Sequence, residues 1–241
     1  MKAISNIILV LVLTITSACI YLIQIYLFKR PDDTVYYFFQ DLAFVPFEAI
    51  VVTLVLNNLL NVMEKRRKMK KIHVIISAFF AEMGLTVISE LIKFNQNNRE
   101  FRQRFVLTDF NKSTMKSLKK TANEFEYKIK ATPPSLETLS LILNEKKPFM
   151  ISMLENSNLS EHDSFTDMLW AIFHVADELQ SRGSIKDFSE SVLDHLANDI
   201  LRAYKAIIIE WVNYIKYLND EYPFLYDAAI KKNPFIEVIM F

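Results

Sequence analysis

The chain is poor in the residues that build turns and phosphate-binding loops. Its 241 residues include only two glycines, Gly84 and Gly183. This excludes the dinucleotide-binding fingerprint and the P-loop, which both need several glycines close together. A single cysteine, Cys19, excludes a disulfide framework. A sheet protein of this length needs many turn residues, so long stretches without breakers predict an all-α fold.

The sequence also lacks a recognisable catalytic constellation. No serine or cysteine nucleophile stands in a familiar setting, and the acids of the C-terminal half are distributed like surface charge. We predict no catalytic residue and no cofactor, and an enzyme is the less favoured reading of this chain.

Long apolar runs dominate the N-terminal quarter. Residues 3–28 carry no charge and exceed the approximately 20 residues with which a helix crosses a bilayer. A second run covers about residues 41–63, with Pro46 in its predicted first turns, after a short outer loop rich in aromatic residues. The sequence predicts a two-helix transmembrane hairpin over residues 1–63.

A basic juxtamembrane segment, residues 64–71, follows directly. Its cations are Lys65, Arg66, Arg67, Lys68, Lys70 and Lys71. Cations beside a membrane helix stay on the cytoplasmic side. We therefore predict a multi-pass protein of the inner membrane with both termini and the C-terminal domain in the cytoplasm. The segment suits binding to anionic inner-leaflet lipids, and it suits a simple topology signal equally well. Nucleic acid is not a predicted partner.

Residues 72–241 are predicted to form a cytoplasmic helical bundle. Residues 72–94 are apolar on nearly all sides, which is typical of a buried core helix or a third membrane span. We favour the core helix, because a third crossing would place the basic stretch 99–130 outside. Further helices are predicted over 136–144 with Ser135 as N-cap, over 165–179 ending near Gly183, and over 185–218.

Polar side chains interrupt both predicted membrane helices. Asn6, Ser17 and Gln24 project to one side of the first helix, and Asp41 and Glu48 share a side of the second. Polar groups at membrane depth need partners, and an antiparallel hairpin makes Gln24 and Glu48 candidates for a hydrogen bond. In an oligomer the two acids would form cation-attracting rings. Alternatively, Asp41 lies among lipid headgroups and Glu48 is a packing group.

Two histidine–acid pairs have the spacing of metal ligands on a helix. His174 and Glu178 are four residues apart, as are His195 and Asp199. Helical-wheel projection puts each pair opposite the apolar side of its own helix. We interpret both pairs as solvent-facing and predict no metal site.

Three stretches carry a family resemblance. They are Asp41–Glu48 leading to Glu64-Lys65-Arg66, then Leu154–Asp163, and finally Tyr222–Tyr226 with Lys232–Phe235. The chain resembles an uncharacterised family of bacterial membrane-anchored helical proteins, a resemblance that implies no activity.

We therefore expect a membrane-tethered helical interaction or regulatory module that forms a homo-oligomer and binds a protein partner still to be identified. The alternative is an oligomeric cation channel or transport subunit that uses the acids of the second membrane helix.

Overall fold

The computed structural model describes residues 2–105, 112–159 and 162–235, with only the backbone for Lys2–Asn6 and Lys112. Two compact units divide the chain, Met1–Lys65 and Arg66–Phe241. The helices are α1 (Lys2–Phe28), α2 (Pro31–Phe79), α3 (Leu85–Ile92), α4 (Asn98–Arg104), α5 (Lys112–Glu124), α6 (Pro133–Leu154), α7 (Asp163–Ser181), α8 (Glu190–Glu221) and α9 (Pro223–Lys231). Extended pairing in the described ranges is limited to one isolated bridge between Asn95 and Ile129. The all-α prediction is confirmed.

The first unit contains α1 and the first part of α2. A left-handed Lys29, with φ of 53°, follows α1, and α2 begins two residues later at Pro31. The predicted loop up to residue 40 and the predicted start at residue 41 are therefore wrong. Pro31 suits a first helical position, and Asp32 and Asp33 favour the positive end of the helix dipole. Pro46 consequently lies inside the helix instead of in its first turns.

The helix α2 does not stop at the basic segment. It continues through residues 64–71 to Phe79, and a π-helical turn, Phe80–Gly84, leads into α3. Ile76, Phe79, Met83 and Val87 are almost fully buried in the core of the second unit. This agrees with the core location predicted for residues 72–94, although the single predicted helix is interrupted at the π-helical turn.

The second unit packs around α8, which contacts α3, α5, α7 and α9. The buried side of α8 includes Leu196, Ile200, Ile207 and Trp211. The helix begins at Glu190, later than the predicted residue 185, because residues Ile185–Asp187 form a separate 3-10 turn. The basic stretch after residue 98 forms α4 and α5.

The other predicted helix ends are partly right. Gly183, with φ of 84°, follows α7 as expected, since this left-handed conformation favours glycine. Helix α6 is much longer than the predicted 136–144, and its N-cap is Thr132. Ser135 lies at the third helical position, where its Oγ accepts a hydrogen bond from the Thr132 backbone N at 3.2 Å. The predicted N-cap at Ser135 is thus wrong by three residues.

Candidate functional site

The polar residues that interrupt the two predicted membrane helices lie mainly on the surface of the first unit. Ser17, Asp41 and Glu48 are exposed, Gln24 is half-buried, and the side chain of Asn6 lies outside the described residues. Among the described residues neither Gln24 nor Glu48 forms a side-chain hydrogen bond, so the bond considered between them is not made within one chain. Both side chains are therefore available for hydrogen bonds to groups outside their own chain.

The large apolar side chains of the first unit are exposed as well. Large residues such as Leu13, Leu22, Phe47 and Leu54 are each more than half exposed. Two helices are long and apolar enough to cross a membrane. In each of them, the most apolar 18-residue stretch has no residue buried within the protein.

The cations of the basic segment all lie on α2. Lys65, Arg66, Arg67, Lys68, Lys70 and Lys71 are exposed, whereas Ile72 directly after them is buried. The boundary between solvated cations and protein core therefore falls between residues 71 and 72.

A second cluster lies on the seam between α7 and α8. His174 contacts Asp199 and Glu178 contacts His195, so the two helices run antiparallel along this seam. The Nε2 atoms of His174 and His195 lie 3.4 Å and 3.2 Å from Oδ2 of Asp199. Oε2 of Glu178 is 3.8 Å from Nε2 of His195. One donor atom from each of His174, Glu178 and His195 lies within 4.8 Å of the others. We call these four residues the seam cluster.

Two arginines border the seam cluster. Arg182 donates to Oε2 of Glu178, and this hydrogen bond lowers the pKa of the Glu178 carboxyl. Arg202 pairs with Oδ1 of Asp199 at 3.4 Å, on the oxygen that does not face the histidines. Both acids are therefore oriented by a guanidinium group while each presents an oxygen to an imidazole.

The solvent-facing interpretation of the two histidine–acid pairs holds for the half-exposed histidines and is wrong for the two acids. The side chains of His174 and His195 are 45% and 51% exposed, but those of Asp199 and Glu178 are only 12% and 19% exposed. Each pair lies at the border of its helix's apolar side, and that border is where the neighbouring helix packs. The matching four-residue spacing in both helices was the signal in the sequence, and the antiparallel packing turns it into one cluster.

An apolar groove lies elsewhere in the second unit. Phe80 and Leu85, Trp211 and Tyr214 of α8, and Leu225 of α9 are among its lining residues. The side chain of Trp211 is buried and its indole N–H has no hydrogen-bond partner among the described residues. This lining offers packing surface and no acid–base pair.

Comparison with known proteins gives a family and no activity. Residues 2–60 match the model described as "MJ1433, N-terminal helical domain", and residues 68–231 match "Uncharacterized protein MJ1433, C-terminal helical domain". The chain is similar to "Uncharacterized protein MJ1433" of Methanocaldococcus jannaschii, with 34% identity over 229 residues, covering 95% of this chain and 92% of that protein. No solved structure matches.

This relative is archaeal, so the expected bacterial setting gains no support, whereas the resemblance to an uncharacterised helical family is confirmed. With both domain models matched in order and most of its length aligned to this relative, the chain belongs to the MJ1433 family of helical proteins.

Proposed function

We propose that this chain is a membrane-tethered interaction or regulatory module, anchored by the hairpin of α1 and the first part of α2. The observation that carries the proposal is the continuous apolar surface of the hairpin. Soluble proteins rarely expose apolar patches larger than a few hundred Å². In a bilayer the same side chains face hydrocarbon, and the helices satisfy their own backbone groups.

The basic segment supplies the membrane contact of the C-terminal domain. Its exposed cations follow the apolar part of α2 directly, at the depth where lipid headgroups begin. Each cation near an anionic surface contributes about 1 kcal/mol. The charge rule places this side in the cytoplasm, so the domain that follows faces cytoplasmic partners.

Self-association completes the proposal. Ser17, Gln24 and Glu48 have no side-chain hydrogen-bond partner among the described residues of their own chain. Interhelical hydrogen bonds between polar groups stabilise membrane helix contacts, so a second copy of the hairpin is the partner that suits these groups.

A channel or transport subunit is the second candidate function. Asp41 and Glu48 are both exposed and lie seven residues apart on α2, so they share one side of the helix. In a ring of hairpins these acids would form cation-attracting layers. A single hairpin cannot enclose a pore, so this function also depends on self-association.

Lipid binding tests the role of the basic segment. The fragment Glu64–Phe241, which retains the core of the second unit, is mixed with anionic or neutral vesicles in a sedimentation assay. Replacing Lys65, Arg66 and Lys70 with glutamine removes about 3 kcal/mol, which corresponds to a loss of roughly 100-fold in affinity for anionic vesicles. Binding of the unmodified fragment should also fall with added salt, because the Debye length is about 10 Å at 0.1 M.

The matched control makes the same change in net charge away from the basic segment. It replaces the exposed Lys128, Lys130 and Lys186 with glutamine. The backbone of Lys130 pairs with Phe94, beyond the end of α3. We expect this control to keep most of the binding. If both variants lose the same affinity for anionic vesicles, binding depends on net charge and not on the position of the cations. If both variants bind as well as the unmodified fragment, the basic segment acts only as a topology signal.

A further inference from the structure

We infer that the seam cluster is a binding site for a divalent transition-metal cation of the Zn²⁺ type. His174, His195 and Asp199 are the ligands, and Glu178 is the acid beside them. This site lies within the second unit and is independent of the proposed membrane function.

Two of the distances among the three ligand atoms fit one cation. Bonds of about 2.0–2.1 Å from a tetrahedral Zn²⁺ ion to nitrogen or oxygen separate neighbouring ligand atoms by about 3.3 Å. The two imidazole nitrogens lie 3.2 Å and 3.4 Å from the same oxygen of Asp199. Both values match that separation.

The buried acid gives a second, independent indication. Asp199 is only 9% exposed, and its Oδ2 atom has no hydrogen-bond partner among the described residues although both imidazoles approach it. A buried carboxylate oxygen without a hydrogen bond is costly. A cation bonded to this oxygen and to both histidines removes that cost.

The donor set favours transition metals over Mg²⁺ and Ca²⁺. Those hard cations prefer oxygen ligands, whereas imidazole nitrogen suits Zn²⁺ and its neighbours in the series. The half-exposed histidines leave one side of the site open to solvent, and an open fourth position is typical of a metal ion that binds water or a small ligand.

The arginines are compatible with this arrangement. Arg202 holds Oδ1 of Asp199 and leaves Oδ2 directed at the histidines. Arg182 holds Glu178 close to His195. Polar contacts of this kind, to ligands and to neighbouring acids, orient metal sites in many proteins.

Calorimetric titration with Zn²⁺ tests the inference on the full chain in detergent micelles, after removal of metals with a chelator. We expect one saturable site per chain. Asp199→Asn keeps the side-chain shape but removes the charge, and His195→Ala removes one ligand. Each should weaken Zn²⁺ binding by more than about 100-fold, since even substitutions around the ligands cost about 10–100-fold. Glu178→Gln should weaken Zn²⁺ binding by only about 10–100-fold, because Glu178 lies beside the ligands.

The control variant is His162→Asn. His162 accepts a hydrogen bond from the backbone N of Phe165 at the start of α7, and asparagine retains an acceptor for this bond. At 1.5 Å per residue this position is about 18 Å along the helix from His174. We expect unchanged Zn²⁺ affinity in this variant.

Three results would overturn the inference. The first is the lack of saturable Zn²⁺ binding by the unmodified chain. The second is equal affinity in the unmodified chain and the Asp199→Asn variant, with circular dichroism showing that the variant keeps its helices. The third is displacement of Zn²⁺ by an equal concentration of Mg²⁺, which would reject the proposed class of metal.

Discussion

Substituting Gly84 with alanine tests the close packing where the π-helical turn meets α3. A Cβ atom at this position would lie 2.6 Å from Cδ1 of Phe80 and 2.8 Å from Cε1 of Phe79. Neither ring is free to move away. Phe79 packs edge-on against Phe165 with centroids 5.2 Å apart, and Phe80 stacks on Tyr214 at 4.8 Å.

Two opposing effects set the magnitude for Gly84→Ala. Inserting a methyl group into a filled core costs about 1–3 kcal/mol. Gly84 has ordinary helical dihedral angles, so alanine also recovers about 0.5–1 kcal/mol of backbone entropy. The steric cost exceeds the gain, and we expect the free energy of unfolding to fall by about 0.5–2 kcal/mol.

Urea unfolding of the full chain in detergent, followed by tryptophan fluorescence, measures this change. Both tryptophans, Trp170 and Trp211, belong to the second unit. A double-mutant cycle with Phe80→Leu is the control, because a smaller side chain at position 80 relieves the closer of the two contacts with the new methyl group. The reasoning is refuted if Gly84→Ala is as stable as the unmodified chain, or if the two substitutions are additive.

Two further predictions concern self-association and acid sensitivity. Glu48→Gln should leave self-association in detergent unchanged, whereas Glu48→Leu should weaken it by about 1–2 kcal/mol, as measured by analytical ultracentrifugation. Cation currents that disappear with Glu48→Gln would favour the channel instead. Burial lowers the pKa of His73 below 6.5. At a pH just below 6.5 the unfolded chain therefore binds a proton at this residue that the folded chain does not bind. The free energy of unfolding should consequently fall as the pH drops below about 6.5. His73→Phe keeps an aromatic ring at the position that stacks on Tyr217 at 3.7 Å. Urea unfolding of this variant should depend less on pH between neutral and acidic conditions. An unchanged pH dependence would show that His73 is not the source of the acid sensitivity.

Local patterns in the sequence were sufficient for several helices. The apolar spacing from Phe165 to Leu179 and the glycine that follows predicted α7 and its C-terminal cap, because both signals act within one or two turns of the chain. At residues 31–33 the local signals were ambiguous. Proline followed by two aspartates is typical of a loop, but the same residues suit the first turn of a helix. The sequence alone did not separate these outcomes, and the start of α2 was misplaced.

The seam cluster shows a different limit of sequence reasoning. A helical wheel gives the direction of His174 or His195 relative to the apolar side of its own helix. It does not show which edge of that side a neighbouring helix covers. The closeness of His174 to Asp199 depends on the antiparallel pairing of α7 with α8, which is a property of the packed unit. The spacing singled out these four residues, and the packing buries the two acids that the helical wheel had assigned to solvent.

The central position of α8 has a consequence for biosynthesis. Helices α3 and α5 precede α8 in the chain, yet both pack against it. At synthesis rates of about 5–20 residues per second, α3 waits on the order of ten seconds for its partner to leave the ribosome. During this interval the α3 residues that pack on α8 lack their partner helix. Premature termination within α8 removes the shared partner of the earlier helices and leaves a chain suited to aggregation or proteolysis.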